Sequence, residues 1–371
     1  MTKKLLPMMI GTALAGGMTA AMADVTVFGH LDTSVDYVDP NSSLIDDDTN
    51  LNCNTCSIGF KGSEDLGNGL KAIFKIDFQY DSTERNTGRA SASSATSPPL
   101  LTTGGGTTTL TAVTSVSDTS SITDRDQWLG LAGGFGQVRI GTISTVYKSH
   151  GAMIDPLYRT ALQGRDRGLQ SNFHRGAGEE LQGRATNTFR YDSPDFNGFK
   201  VGAHYTLDNS EGDGEDNNPY GIGASYSNGG ILAFADYITN DSDDTTTGDK
   251  DAWKVGGKYS GGMFGVMGQY EDYQNSSSDE ETQWYVAGTV SLLGMDMYLG
   301  YGQAEDDTSN DDLTSWTLAV SHNLSKRTMV YAGHSQIDCD TGANATLSAC
   351  SAVGSSGGED DKTSFGMKHK F

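Results

Sequence analysis

The sequence predicts an all-β protein, a transmembrane barrel of sixteen antiparallel strands, on three observations. Beyond an apolar leader, no second apolar run is long enough to cross a bilayer as a helix. The remaining chain repeatedly alternates polar and apolar residues with period two. Its connections fall into two kinds, short and Gly-rich or long and acidic. Lipid cannot satisfy an open sheet edge, so strands that cross it must close on themselves.

The leader comes first. Lys3 and Lys4 are basic, residues 5–20 are apolar and small apart from Pro7 and Thr12, and Ala21-Met22-Ala23 places small residues where a signal peptidase reads. Residues 1–23 are therefore expected to be a cleaved secretory signal, leaving 24–371 as the barrel. Composition agrees with export to a membrane by strands. Only 36% of the 371 residues are hydrophobic, and a mean hydropathy of −0.44 excludes a helical bundle in lipid. A net charge of −23 excludes nucleic acid as a partner, because a phosphate backbone needs a basic face.

Strands are expected at 25–38, 57–63, 69–81, 124–132, 137–144, 185–191, 199–207 and 220–227. Eight more follow at 231–239, 252–259, 263–273, 283–292, 295–304, 313–322, 328–337 and 361–371. The third shows the pattern clearly: Leu70, Ala72, Phe74, Ile76, Phe78 and Tyr80 alternate with Lys71, Ile73, Lys75, Asp77 and Gln79. In the last, Thr363, Phe365, Met367, His369 and Phe371 alternate with Ser364, Gly366, Lys368 and Lys370. Successive side chains point to opposite faces, so one set meets lipid and the Gly-rich, charged set lines a wet lumen. An even number of strands puts both termini on one side.

The turns Glu64-Asp65-Leu66-Gly67-Asn68, Gly133-Gly134-Phe135-Gly136, Asn228-Gly229-Gly230 and Ser260-Gly261-Gly262 are tight. The stretches 39–56, 208–218, 240–251, 274–282, 305–312 and 338–360 are long and acidic, with Lys250 their one basic residue. The long side is expected to face outward. Residues 82–123 are low in complexity and read as an external loop. Tyr191, Tyr205, Tyr226, Tyr237, Tyr259, Tyr273, Trp284 and Phe371 fall near strand ends, as interfacial girdles do, although strand propensity alone would enrich Tyr.

Four cysteines suit an oxidising compartment. Three pairings are possible; the local ones, Cys53–Cys56 and Cys339–Cys350, close the shortest loops. The spacing C-x2-C against C-x10-C does not suit zinc. Both local pairs are expected to staple external loops, with little effect on conductance. No cofactor motif emerges. Gly354-Ser355-Ser356-Gly357-Gly358 lacks the strand and helix of a nucleophile elbow. The stretch from Asp46 lacks the Gly and Glu of a calcium loop.

Several runs resemble the Gram-negative general porin family. Val25-Thr26-Val27-Phe28-Gly29-His30-Leu31-Asp32 resembles its first strand. Ser57-Ile58-Gly59-Phe60-Lys61-Gly62-Ser63-Glu64-Asp65-Leu66-Gly67-Asn68-Gly69-Leu70-Lys71-Ala72 resembles its second and third. Gly130-Leu131 with Phe135-Gly136-Gln137-Val138-Arg139-Ile140-Gly141 is similar to strands four and five, and Asn187-Thr188-Phe189-Arg190-Tyr191-Asp192-Ser193-Pro194 with Gly198-Phe199 to strands six and seven. The terminal Phe371 matches the family's assembly signal.

The resemblance implies a passive channel for ions and small hydrophilic solutes in the outer membrane. It implies a homotrimer, with lipid, lipopolysaccharide and the barrel-assembly machinery as partners. It also implies that the third long loop, 145–183, folds inward to narrow the pore. That loop carries Lys148, Arg159, Arg165, Arg167 and Arg175 against Asp155, Asp166, Glu179 and Glu180. Together with alternation, the resemblance assigns Lys71, Lys75, Arg139, Arg184 and Arg190 to the lumen. Two family arginines are replaced here, by Ser57 and Thr142. With an acidic mouth, this weaker basic ladder predicts at most a weak anion preference and favours cations. A substrate-specific channel and an adhesin role for the loops are the alternatives.

Overall fold

The computed structural model describes residues 24–39, 47–83, 122–174, 183–207, 218–240, 250–276, 279–306, 311–340 and 358–371. The proposed signal segment 1–23, most of the expected external loops, Cys350, Arg175, Glu179 and Glu180 lie outside them. The first eight strands are β1 (Asp24–Asp39), β2 (Asp48–Cys53), β3 (Ser57–Gly67), β4 (Leu70–Tyr80), β5 (Ile122–Gly133), β6 (Gly136–Ser144), β7 (Arg184–Asp192) and β8 (Phe199–Thr206). Then come β9 (Tyr220–Asn228), β10 (Ile231–Thr239), β11 (Asp251–Gly261), β12 (Phe264–Ser276), β13 (Asp279–Leu292), β14 (Met295–Asp306), β15 (Asp311–Asn323), β16 (Thr328–Cys339) and β17 (Gly358–Lys370). Neighbours pair antiparallel, and β17 returns to β1 from His30↔Lys370 to Asp39↔Asp361, which closes the sheet. Phe371 adds the last rung, exchanging backbone hydrogen bonds with Gly29 at 3.1 Å each way.

The extra strand, β2, lies where a continuous loop was expected. One edge of β1 is shared: its first half pairs with β3, from Asp24↔Ser63 to His30↔Ser57, and its second half with β2, from Thr33↔Cys53 to Val38↔Asp48. Thus β2 and β3 are one stave, interrupted by Asn54-Thr55-Cys56, and the barrel has sixteen staves. The segment Asp48-Thr49-Asn50-Leu51-Asn52-Cys53 is nearly all polar, so it lacks the alternation by which a lipid-crossing strand is read.

Tight turns join the staves on the side of both termini. Asn228 leads into Gly229 and Gly230, both at positive φ (59° and 87°), as a right-twisted two-residue hairpin demands. Outward positions carry Val25, Val27, Leu129, Leu131, Ile222, Val255, Leu299, Phe365 and Met367, all exposed to the surroundings of the barrel. Tyr191, Tyr205, Tyr226 and Tyr259 are exposed on that face too. Tyr273 corrects the girdle expectation: it is buried in the lumen and its hydroxyl donates to Glu281 at 2.5 Å.

The inward loop begins with a short helix, α1 (Val146–Met153), capped by Thr145, whose side chain accepts the Lys148 N–H at 3.2 Å. Its apolar residues Ile154, Leu157, Leu162 and Leu169 pack on Leu232, Phe234, Met267, Tyr285 and Tyr298 of the wall. Each such burial stabilises by about 1.5–3 kcal/mol. Close approach is possible because the wall is cut away. A Cβ on Gly333 would stand 2.6 Å from Leu162, and one on Gly302 3.1 Å from Leu169. Some lumenal glycines are therefore seats for the loop and not bare lining.

Candidate functional site

The constriction has a wall and a loop side. On the wall, β4, β5, β6 and β7 contribute charged side chains held in pairs. Lys75 lies 2.9 Å from Asp126 and 3.6 Å from Asp77. Arg184 reaches Asp126 at 2.9 Å. Arg139 and Arg190, opposite each other across β6 and β7, both hold Asp192, the latter at 2.7 Å. Arg190 also donates to the Ser144 carbonyl and to the Ser149 hydroxyl, so it ties the wall to the start of the loop.

Arg125 was missed by the alternation, and the reason is local. The register of β4 and β5 passes from Ile76↔Gln127 to Phe78↔Asp124, so Arg125 and Asp126 together oppose Asp77. This bulge turns both adjacent side chains inward. Arg125 lies 3.4 Å from Asp77 and donates to Gln79 at 2.6 Å. Gln79 is the register partner of Ser57, so the guanidinium of β5 reaches back towards the place where an arginine at 57 would project. A usable signal existed. Strict alternation would put Arg125 on the lipid face, where a cation costs about 2–4 kcal/mol at the midplane, so its presence there argues for a bulge.

The loop charges divide into two groups. Arg159 and Arg165 flank Tyr158, with guanidinium carbons 5.7 and 5.1 Å from its ring centre. Arg159 donates to His30 at 3.1 Å, and Arg165 to the His174 carbonyl at 3.1 Å. Among the described residues neither has a carboxylate within ion-pair distance. Lys148 is buried beside them. Burial, then Arg184, Arg165 and Arg125, push its ammonium well below the usual lysine range, which marks where the cations converge.

The second group anchors the loop. Arg167 is buried in an ion pair with Asp360 at 2.6 Å and donates to the Asp360 carbonyl at 2.7 Å. Asp155 accepts the N–H groups of Leu157 and Gly164 at 2.9 Å each, and burial pushes its carboxyl up to about 6. Asp166 accepts from Gln163. Asp155 and Asp166 serve the loop's own structure, and Arg167 ties it to β17. Lys71 sits at the exposed rim of the tight-turn side, opposite Asp65. Behind the loop, Tyr147 donates to Glu271 at 3.0 Å, Lys254 to the Tyr147 carbonyl at 2.5 Å, and His150 lies 2.6 Å from Asp236. His174 joins this cluster, 3.1 Å from Glu271; burial and Lys254 lower it to about 4, so it is neutral at physiological pH.

Where β2 gives way to β3, level with the middle of β1, Cys53 and Cys56 form a disulfide with Cα atoms 5.7 Å apart. Cys339 is disulfide-bonded as well.

A closed sixteen-stave membrane barrel, charged within and narrowed by an inward loop, has the architecture of an outer-membrane pore protein. The chain belongs to the Gram-negative porin family, whose sequence profile matches residues 11–342. It is similar to the major outer membrane protein P.IB of Neisseria gonorrhoeae, 29% identical over 237 residues, or 61% of this chain and 54% of that one. In that match the chain spans about half the length of its relative. The P.IB protein of Neisseria lactamica is 26% identical over 402 residues, covering 98% of this chain and 99% of that one. Among solved structures, the anion-selective porin from Comamonas acidovorans superposes with TM-score 0.70 at 22% identity, covering 94% of this chain and all of that one. The trimer form of OmpT from Vibrio cholerae gives 0.63 at 14% identity, covering 94% and 99%. These structural likenesses show the fold.

Proposed function

We propose that the protein is a passive diffusion channel for ions and small hydrophilic solutes whose constriction prefers anions. The observation that carries this is the charge balance of the narrow zone. On the wall, Lys75, Arg125, Arg139, Arg184 and Arg190 face three carboxylates, Asp77, Asp126 and Asp192, while Arg159 and Arg165 come from the loop without a carboxylate partner among the described residues. A ring with excess cations lowers the barrier for anions and raises it for cations. The acidic mouth acts the other way, but its field fades over a Debye length of about 8 Å at physiological salt. This departs from the cation preference expected from Ser57 and Thr142. That expectation lacked Arg125 and counted the loop as a mixed set, whereas Asp155 and Asp166 are taken up within the loop and leave Arg159 and Arg165 in excess. The Comamonas protein, an anion-selective porin of the same fold, is in keeping with it.

The same reading takes residues 1–23 as the export signal and the assembled channel as a homotrimer, inserted by the barrel-assembly machinery among lipid and lipopolysaccharide. Reversal potentials of the purified protein in a planar bilayer under a salt gradient test the selectivity. An anion preference that strengthens at low salt supports the reading. A cation preference that fades as salt is added would place control at the mouth and overturn it.

A further inference from the structure

We propose that the disulfide-closed turn from Cys53 to Cys56 is a working part of the pore constriction, where Asn54 and Thr55 position the loop arginine Arg159. The turn interrupts the second stave. Cys53 pairs with Thr33 and Ser57 with His30 on β1, so three residues, Asn54 to Cys56, stand opposite two, Leu31 and Asp32. The Asn54 N–H still donates to the Asp32 carbonyl at 2.8 Å and the Cys56 carbonyl accepts the Tyr80 N–H at 3.0 Å, and the extra residue makes a bulge. The turn bends inward. The Asn54 amide donates to Asp32 at 2.7 Å and to Ser34 at 2.8 Å, both on the lumenal face of β1. The Thr55 hydroxyl lies 3.5 Å from Nε2 of lumenal His30. Thr55 also holds a positive φ of 54°, a conformation a β-branched residue adopts only when its surroundings impose it. The bridge on either side supplies that constraint.

Two chains of contact lead from the turn to the inward loop. In the first, the Tyr331 hydroxyl donates to Asp32 at 2.8 Å, receives the Ala161 N–H at 3.3 Å, and lies 3.4 Å from the Asn54 amide nitrogen. Asn54, Asp32, Tyr331 and the loop backbone thus meet at one point. In the second, Arg159 donates to Nδ1 of His30 at 3.1 Å. A guanidinium cannot accept, so Nδ1 is the unprotonated nitrogen and Nε2 carries the hydrogen, directed at Thr55. Thr55 thereby holds the imidazole in the tautomer and orientation that receive Arg159. Ser57, 3.3 Å from the same Nδ1, adds a second support. The bridge thus lies within a stave and not in the external loop expected of it, and the proposal departs from the expectation that it leaves conduction untouched.

The test uses single channels of the full-length protein in planar bilayers. A dithiol added to inserted wild-type channels reduces the bridge to two thiols and is itself oxidised to a cyclic disulfide, so folding is not in question. The open level should become noisier, its conductance should change, and the anion-over-cation permeability ratio should fall about twofold as Arg159 loses its fixed place. Asn54→Gly and Thr55→Val, with the bridge intact, should do the same, whereas Thr55→Ser, which keeps the hydroxyl, should behave as wild type. In the Cys53→Ser/Cys56→Ser protein the dithiol should have no further effect. If it still acts there, the response belongs to the bridge at Cys339 and the proposal falls. Unchanged conductance and noise in both reduced wild type and Asn54→Gly would also overturn it, whichever sign the selectivity takes. The permeability arm alone rests on the anion-preferring reading above.

Discussion

Arg159→Gln tests the constriction most directly. The residue is half-buried, sits at φ 62°, and has His30 and the Tyr158 ring as its neighbours. Gln keeps a long polar side chain and removes one positive charge, and it leaves the backbone strain as it was. An anion passing about 5 Å from the guanidinium in water gains about 0.8 kcal/mol, a factor of about four in local concentration. A cation loses the same amount, so the anion-over-cation permeability ratio should drop by about four to fifteen times when the charge is unscreened. The Debye length is about 10 Å at 0.1 M salt and about 3 Å at 1 M, so the drop should be large in dilute salt and nearly absent in concentrated salt. Reversal potentials at both concentrations measure it. A ratio that does not move in dilute salt, or that moves towards anions, would show that the loop arginines do not face the conducting path and would refute the charge balance on which selectivity is argued.

Three further outcomes follow from the packing. Changing Phe371 to Asp removes the ring that covers Gly29, where a Cβ would meet it at 2.6 Å, and puts a charge at the closing rung; heat-modifiable folded barrel in the membrane fraction should fall, and an undiminished amount would contradict the closure role. Gly333→Leu should overpack Leu162 of the inward loop and also press on the Leu318 carbonyl of the neighbouring stave, each 2.6 Å from the added Cβ, at a cost of about 3 kcal/mol, which unseats the loop and raises single-channel conductance in the channels that still insert. For Asp155 the sign is that of an acid whose carboxyl is raised in the seated loop, from 3.8 to about 6. Seating then binds a proton, its benefit is complete below about pH 4, and it is lost as pH climbs through 6. By pH 7 this amounts to something on the order of 3 kcal/mol. Open-channel noise should therefore increase from pH 5 to pH 7.5 in wild type and show no such rise in Asp155→Asn.

The barrel was legible because a membrane imposes a strict code on each stave. Lipid demands an apolar residue at every second position, and a wet lumen tolerates anything between, so Leu70 to Tyr80 could be assigned face by face from the chain alone. Where lipid does not reach, the code lapses. The polar segment from Asp48 to Cys53 pairs along β1 yet carried no alternating signal. The constriction was harder for a different reason: its geometry depends on departures from period two. The bulge at Arg125 and Asp126 turns inward a cation that strict parity would assign to lipid, and so adds to the excess of cations in the narrow zone. The extra residue between Cys53 and Ser57 likewise breaks the period of two, and the side chains of Asn54 and Thr55 both reach the lumenal residues Asp32 and His30. Charges within the inward loop were visible as a mixed set, but composition could not separate Arg167, committed to Asp360, from Arg159, which meets no carboxylate among the described residues. That separation follows from where the loop is seated, and the seat is written in small residues such as Gly302 and Gly333, opposite Leu169 and Leu162. A lumenal glycine with a leucine against it is thus evidence for a packed loop, whereas a lumenal glycine facing nothing is evidence for water. Telling the two apart needs the opposing residue, and that residue lies more than a hundred positions away in the chain.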